Sequence, residues 1–416
     1  MFMAEKVIVI GSGPAGLMAA ITAAQAGRAV TVLEALPSPG RKLLASGAGK
    51  CNFTNMLSPE AMAERFAPEQ RRFVKPSLLG FTPDEVRKFF AGCGVKYTLV
   101  DDFYCFPATE KASDILQSML NKLQEYGGRI VCNAMVYDLQ IQESAVSGVY
   151  AGKEFYACDY LIAAAGGPGF PKLGGGGSLD KIFAGYGIDM IKRTPALCGI
   201  KSSDSWLQDL AGMVLDKVTL TLNKHNFSHG TMLFTGDGIS GPAALDLAGR
   251  CAKLLDSGEK ITAKVNFRPD KTREDWRIFL DHARRNSGKR LIRNLFIHEL
   301  PQALAAALVQ NAGAGEITAA QMTGSTVERL LDTLTACPLH VASVENWAKA
   351  MASTGGMARS GIDSKTMQSK KIANLYAAGE FIDVDGPCGG YNIQWALSSG
   401  KCAGMLKTKK QSNPAQ

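Results

Sequence analysis

Residues Val7 to Glu34 read VIVIGSGPAGLMAAITAAQAGRAVTVLE, and in this stretch a strand, a glycine turn, a helix and a second strand follow in register. Val7–Ile10 is short and β-branched, as a strand buried on both faces should be, and it runs straight into Gly11-x-Gly13-x-x-Gly16. In that spacing Gly11 permits a tight turn, Gly13 lets the backbone approach a pyrophosphate, and Gly16 lets the helix pack against the strand. Ser12 and Ala15 fill the turn, Pro14 suits a first helical turn where its missing N–H costs nothing, and Gly27 closes the helix. Ala29–Glu34 is then the second strand, with Glu34 placed to accept hydrogen bonds from an adenosine ribose. An isolated GxGxxG can arise by chance in a chain with 44 glycines. Here the whole βαβ unit and its terminal acid accompany the motif, so the reading is a dinucleotide-binding fold.

The other end of the chain carries a second signal of the same kind. In NLYAAGEFIDVDGPCGGYNIQWALSSGKCAG (Asn374–Gly404), a buried strand runs into Gly379-Glu380, and a glycine-rich turn at 386–390 opens a helix from Tyr391 to Gly404. An acid just past a strand-end glycine can hydrogen-bond a polyol. A helix N-terminus pointing into the same cleft stabilises a developing anion. These features suit the ribityl chain and the N1/C2 edge of a flavin, which becomes negative on reduction. A third strand end, Tyr160–Ala165 followed by Gly166-Gly167-Pro168, suggests another close approach of backbone to cofactor.

Between these ends the texture changes. Pro37–Asn55, PSPGRKLLASGAGKCNFTN, is too rich in Gly, Ser and Asn to be core helix or strand, and a loop of that length is expected to be functional. Residues 60–94 and Ala112–Tyr126 have helical patterns, Arg129–Ile141 alternates as one strand, and Ala145–Cys158 reads as a hairpin. From about Arg193 short strands such as Lys217–Asn223 and Lys260–Phe267 take over, and residues 271–336 are almost wholly helical in pattern. The second half of the sheet thus returns after an insertion of about 150 residues, a normal size for one or two domains. The run Gly174–Gly177 reads as a permissive connection.

Composition narrows the function classes. With 46% apolar residues and no apolar run near the roughly 18 residues of a membrane span, a soluble, cytoplasmic protein is expected. Ten cysteines with no C-x-x-C pair argue against a disulfide framework, a redox dithiol or a metal site. Near matches to a phosphate-binding P-loop at Gly49-Lys50 and Gly400-Lys401 lack its first glycine and its Ser/Thr. The net charge of +8 is modest, but Arg284, Arg285, Lys289, Arg290 and Arg293 cluster in a helical stretch. Such a cluster is either a solvated helix face or the electrostatic footprint of a polyanion such as RNA.

Four segments together, GSGPAG, GRKLLASGAGKCNFTN, TMLFTGDGISGPAAL (Thr231–Leu245) and NLYAAGEFIDVDGPCGGYNIQWALSSG, resemble the YhiN/BaiN family of bacterial flavoproteins, also called aminoacetone-oxidase-like, across essentially the whole chain. The resemblance implies an α/β fold, with an FAD-binding Rossmann-type sheet of the two-dinucleotide-binding-domain kind interrupted by a β-barrel-like domain that carries a helical insertion. On this reading residues 1–192 and 354–410 form the FAD domain, 193–268 and 337–353 the barrel and 269–336 the helical insert, with 411–416 a disordered tail. It assigns Gly11, Ser12, Gly13, Pro14, Ala15 and Gly16 to the pyrophosphate, Glu34 to the ribose, and Arg41 and Lys42 to a loop along the FAD. It sets Val136 by the adenine, Gly166 near the diphosphate, and Gly379, Glu380, Gly389, Gly390, Tyr391, Asn392 and Ile393 at the ribityl and isoalloxazine.

Two positions depart from the family pattern. Lys50 stands where the family has Arg, and Leu233-Phe234-Thr235-Gly236 replaces its usual LFTH, so a family histidine's acid/base role has no bearer here. Asp383 and Asn392 are the candidate catalytic or positioning groups. Cys51 and Cys388 sit in flavin-side loops, but with no close partner thiol they read as inert. The implied activity is hydride transfer through non-covalent FAD with NAD(P)H as a transient co-substrate. The implied acceptor is a conjugated C=C, in a uridine of large-subunit rRNA or in a small enone. Two other readings stand beside it: an oxygen-using amine oxidase, and a non-catalytic flavin-dependent RNA-binding factor. The sequence leaves oligomeric state open.

Overall fold

The computed structural model describes residues 4–174, 178–224 and 226–407. The sequence readings that fall on Gly175–Gly177 and on the tail at 411–416 lie outside the described residues. The chain divides into two compact units, Pro195–Ala350 and the remainder.

The unit built from both chain ends holds a five-stranded parallel sheet. Strand β1 (Lys6–Ile10) leads into helix α1 (Pro14–Gln25), β2 (Ala29–Leu33) follows, and helix α2 (Pro68–Gly80) comes next. Then come β3 (Arg129–Val131), β4 (Tyr160–Ala163), β5 (Leu375–Ala377) and helix α3 (Tyr391–Gly404). The spatial order β5-β4-β1-β2-β3 puts the first strand, β1, at the centre with the order reversing beside it. That is the Rossmann arrangement, whose ligand crevice lies at the carboxyl ends of the strands flanking the reversal. Val7, Val9, Leu161, Ile162 and Leu375 are completely buried, as expected for strands covered by helices on both faces. The mixed α/β class and the Rossmann-type sheet expected from the sequence are therefore present.

Helices α1 and α3 meet through small residues. Added Cβ atoms at Gly400 and Gly404 would collide with the carbonyl oxygens of Ala15 and Ala19, so two glycines four apart ride on two alanines four apart. This close packing fixes the N-terminus of α1 against the middle of α3, with Ala396 beside Gly379.

Two local expectations are corrected. The single strand read over Arg129–Ile141 is two: β3 belongs to the parallel sheet, whereas Val136–Gln142 pairs antiparallel with Ala145–Ala151 in a separate three-stranded sheet. The break comes at Asn133 (φ +55°), where the Asn133 and Ala134 N–H groups turn to donate to the Leu36 and Glu34 carbonyls. The Pro37–Asn55 segment is not all loop. It holds a short helix, Arg41–Ala45, and a two-residue strand, Thr54–Asn55, paired to Tyr104–Pro107.

The second unit is a closed six-stranded barrel. Its strands run in the order Ile200–Ser202, Gly238–Ser240, Asn226–Thr235, Val214–Asn223, Ile261–Asn266 and Cys337–Val344, and the last pairs back to the first. Alternating burial along Ile261–Asn266 and Cys337–Val344 sends Ile261, Ala263, Val265, Leu339 and Val341 inward. Three helices, Arg273–Asn286, Gln302–Asn311 and Gly324–Ala336, contribute Trp276, Leu280, Leu304 and Leu331 to the same core.

Candidate functional site

The three motif glycines after β1 are separated by what surrounds them. A Cβ on Gly16 would overlap the Gly11 carbonyl, and one on Gly11 (φ +98°) would sit 2.5 Å from the Ala164 carbonyl oxygen. These two are demanded by the protein's own packing. A Cβ on Gly13 would meet nothing within 4 Å. The space above Gly13 is thus open, at the head of a helix that has no side-chain cap and no acid in its first turn. Free N–H groups and the positive end of the helix dipole face that space, which is the chemistry a pyrophosphate requires.

Glu34, at the end of β2, is held in place by its neighbours. Ser12 donates to its Oε2 through both backbone N–H and hydroxyl, and Leu36 N–H donates to Oε1 at 2.9 Å. A carboxylate has about four acceptor sites, so capacity remains for ribose hydroxyls. Ser12 is fully buried and its hydroxyl also receives Gly40 N–H, tying the glycine turn to the start of the Arg41–Ala45 helix. Val136 is buried at the start of its strand.

Glu380 gathers the other sequence-derived positions. Lys42 Nζ lies 2.8 Å from its Oε2, while Ser353 donates to Oε1 through N–H at 2.8 Å and hydroxyl at 3.0 Å. Burial pushes the Glu380 carboxyl up, but Lys42, Arg193 and Ser353 outweigh it and hold it below the usual carboxylate range. Gly166 (φ +71°) and Gly167 pass beside this carboxylate, and a Cβ on Gly167 would run into Ser353 Oγ and Glu380. Gly379 is pinned by α3: its N–H donates to Ser399 Oγ at 2.9 Å and its carbonyl accepts from Trp395 Nε1 at 3.2 Å.

The head of α3 is uncapped like that of α1, but its glycines are enclosed: a Cβ on Gly390 would sit 2.9 Å from the Thr54 carbonyl, and one on Gly389 2.8 Å from the Tyr104 ring. Its cap, Gly390 (φ +86°), has no side chain to offer, and the first turn carries no acid. Behind it, Asn55 Nδ2 donates to the Gly389 carbonyl at 2.9 Å, Thr54 Oγ1 donates to Gln394 Oε1 at 2.5 Å, and Arg87 fixes the Asn55 carbonyl at 2.9 Å. Tyr391 is buried and Ile393 half-buried. Asn392 braces the preceding turn, accepting from Gly386 N–H at 2.9 Å and donating to its carbonyl at 2.8 Å. Asp383 is equally engaged: buried, it accepts from Gly355 N–H at 2.8 Å and pairs with Arg359 at 3.4 Å.

Sequence reading missed Arg193, Ser353, Thr54, Asn55, Arg87 and Gln394. Arg193 is nearly inaccessible. Its guanidinium pairs with Asp180 at 2.6 Å and donates to the Glu380 and Phe381 carbonyls at 3.0 and 3.3 Å. Thr54, Asn55 and Gln394 lie within the quoted motif segments without standing out there, whereas Arg87, Arg193 and Ser353 lie outside them and signal only as polar residues in apolar or strand-like runs. Cys51 is buried at φ +61° and its thiol is pushed up to about 12 by that burial, so it is not a nucleophile at neutral pH. Among the described residues no group of three His, Cys, Asp or Glu is placed to hold a metal, and no helix is long and apolar enough to cross a membrane.

In the barrel unit the five basic residues of the helical stretch are all exposed. Arg284 lies 3.5 Å from Asp281 and Arg293 3.2 Å from Glu316, whereas Arg285, Lys289 and Arg290 form no ion pair among the described residues. Thr235 Oγ1 donates to Asp237 Oδ1 at 3.4 Å across Gly236.

Comparison with known proteins agrees with this architecture. The HI0933-like protein Rossmann domain model matches residues 5–406. The ribosomal RNA dihydrouridine synthase of Haemophilus influenzae is 29% identical over 94% of this chain and 96% of its own length. The 3-dehydro-bile acid delta(4,6)-reductase of Clostridium scindens is 30% identical over 98% of this chain and all of its own length. A 3-ketosteroid delta1-dehydrogenase from Sterolibacterium denitrificans shares the fold, with a TM-score of 0.51 at 12% identity, covering 97% of this chain and 99% of that one.

Proposed function

The chain belongs to the HI0933-like family of Rossmann flavoproteins and is a flavin-dependent oxidoreductase; from that premise we propose that it reduces a conjugated carbon–carbon double bond with NAD(P)H as hydride source. The observation that carries the reading is the pair of full-length relatives whose names both denote saturation of a C=C next to a carbonyl. A uridine C5=C6 and a steroid enone are the same problem. Hydride must reach the carbon β to the carbonyl, negative charge moves to the carbonyl oxygen, and a proton must then reach the α carbon.

The residues fit FAD by the cradle they leave. Bound FAD would supply the two-electron hydride relay. The open turn at Gly13 and the head of α1 would hold its pyrophosphate, Glu34 its ribose, with Arg41 alongside and Val136 at the adenine. Gly166, Gly379 and Glu380 would line the ribityl chain, and the uncapped head of α3, Gly389 to Ile393, would meet the N1/C2 edge and stabilise negative charge there. Lys42 keeps Glu380 ionised and so an acceptor for hydroxyls. Asp383 and Asn392 act as positioning residues that stiffen the loop beside this edge. The open space above Gly13 and the two uncapped helix heads support this assignment.

Anaerobic stopped-flow tests the reading. NADH or NADPH should bleach the protein's flavin absorbance rapidly, and an enone or rRNA should restore it. Bleaching only by a small amine would instead identify an oxidase.

A further inference from the structure

A cavity of about 530 Å³ opens between the second half of α2 and the C-terminal half of α3. Along α3, Ser398 and Cys402 lie roughly 12–18 Å from the Gly390 head at 1.5 Å per residue, so this is not the cofactor turn. Its volume is that of a small-molecule site. Four cations line it, Arg72, Lys75, Lys365 and Lys407, and no carboxylate does. All four are exposed, and none forms an ion pair among the described residues. Pro76, Leu79 and Met405 supply an apolar wall, with Leu79 45% exposed.

One buried polar group there has only a thiol beside it. Ser77 is 1% exposed, and its hydroxyl makes no well-formed hydrogen bond, with the Cys402 sulfur as its neighbour. Cys402, which shares the cavity lining, sends its thiol proton to the Lys365 carbonyl at 3.2 Å. An oxygen acceptor placed in the cavity would take a stronger hydrogen bond from that hydroxyl than sulfur does. The residues that follow Lys407 in sequence, Thr408-Lys409-Lys410, add positive charge and no carboxylate side chain. Four cations unpaired among the described residues, beside an apolar wall, are complemented by a partner that is negative and partly apolar.

We infer that this cavity binds a small amphipathic organic anion, a carboxylate or phosphate monoester on an aliphatic or aromatic body. The head group takes the Ser77 hydroxyl and the surrounding lysines, while the body lies on Pro76, Leu79 and Met405. The inference stands on these residues alone and not on the reaction proposed above.

Titration calorimetry on the FAD-loaded protein, with decanoate, decyl phosphate and inorganic phosphate at matched ionic strength, tests it. At least one of the decyl anions should bind saturably at one site per chain, at least tenfold more tightly than inorganic phosphate, and K75E/K365E should weaken it at least tenfold with FAD content unchanged. On the wild-type protein, the same anion should protect Cys402, but not Cys388, from maleimide, read by peptide mass spectrometry. That protection decides the matter if the double variant fails to fold. No saturable binding, equal binding of inorganic phosphate, unchanged affinity in a folded K75E/K365E, or binding that leaves Cys402 as reactive as before would each overturn the inference.

Discussion

Gly11 and Gly16 are required by the protein's own packing, whereas nothing in the packing requires Gly13, and substitutions should separate a structural demand from a ligand's. Gly16→Ala would drive a methyl group into the Gly11 carbonyl, an overpacking that costs about 1–3 kcal/mol. Gly13 has an ordinary φ of −72° and open space around it, so Gly13→Ala should change stability by less than about 1 kcal/mol, with its weaker capping offset by the lost unfolded-state entropy. We therefore expect Gly16→Ala to lower the denaturation midpoint of the apoprotein and Gly13→Ala to leave it alone while stripping the protein of FAD. If Gly13→Ala retains full flavin, the pyrophosphate is not where the open turn suggests. Cys51 gives a second expectation at this scale. With its thiol pushed up to about 12, it should stay unlabelled by maleimide at neutral pH in the native protein, and Cys51→Ala should not alter flavin reduction by NADPH. A slowed reduction would restore Cys51 as a redox group.

The strand end at Gly379-Glu380 is held by elements far apart in sequence, and that is where its acid sensitivity arises. The Glu380 carboxyl lies below its unfolded value of 4.5, so its contribution to stability is complete above that value and is lost as pH falls through the lower folded one. Glu380→Gln should accordingly flatten the loss of stability between about pH 5 and 3 in a pH series of denaturation midpoints. An unchanged acid limb would show that other carboxylates dominate it. Arg193→Met removes one partner of a buried pair and strips donors from two carbonyls, at a cost of about 3 kcal/mol, readable in chemical denaturation. This brace also marks the limit of what the sequence discloses. The βαβ unit and α3 were legible because their signals are local: apolar period, glycine spacing and cap all fall within thirty residues. The division of Arg129–Ile141 was not, because Asn133 and Ala134 break the strand by bonding to carbonyls of residues 34 and 36, a partnership no window along the chain contains. The same holds for Arg193 and Ser353, which reach Glu380 across 187 and 27 residues.

At the scale of the whole molecule the open question is the size of the substrate, and charge is the property that decides it. In the helical segment of the barrel unit, Arg284 and Arg293 are partly neutralised by Asp281 and Glu316, while Arg285, Lys289 and Arg290 stand exposed without an ion pair among the described residues. Basic residues at the end of the Arg273–Asn286 helix also complement its dipole, so position alone does not make them a binding face. Salt dependence does discriminate, because each RNA phosphate neutralised releases counterion and adds roughly 0.7–0.9 to the slope of log affinity against log salt. If this face guides rRNA toward the flavin, replacing Arg285, Lys289 and Arg290 together by Glu should flatten that slope for a large-subunit rRNA fragment by roughly 2 to 3. FAD content and NAD(P)H oxidation with a small enone should be unchanged in the same variant. Equal slopes for variant and wild type would remove the surface from RNA recognition without touching the flavin chemistry. The product then gives the final discrimination: nucleoside digests of rRNA from a deletion strain should lack a dihydrouridine that returns with the wild-type protein and not with the charge-reversed one. Identical digests in all three strains would leave a small conjugated carbonyl compound as the substrate, since the same hydride step at the same flavin edge serves either acceptor.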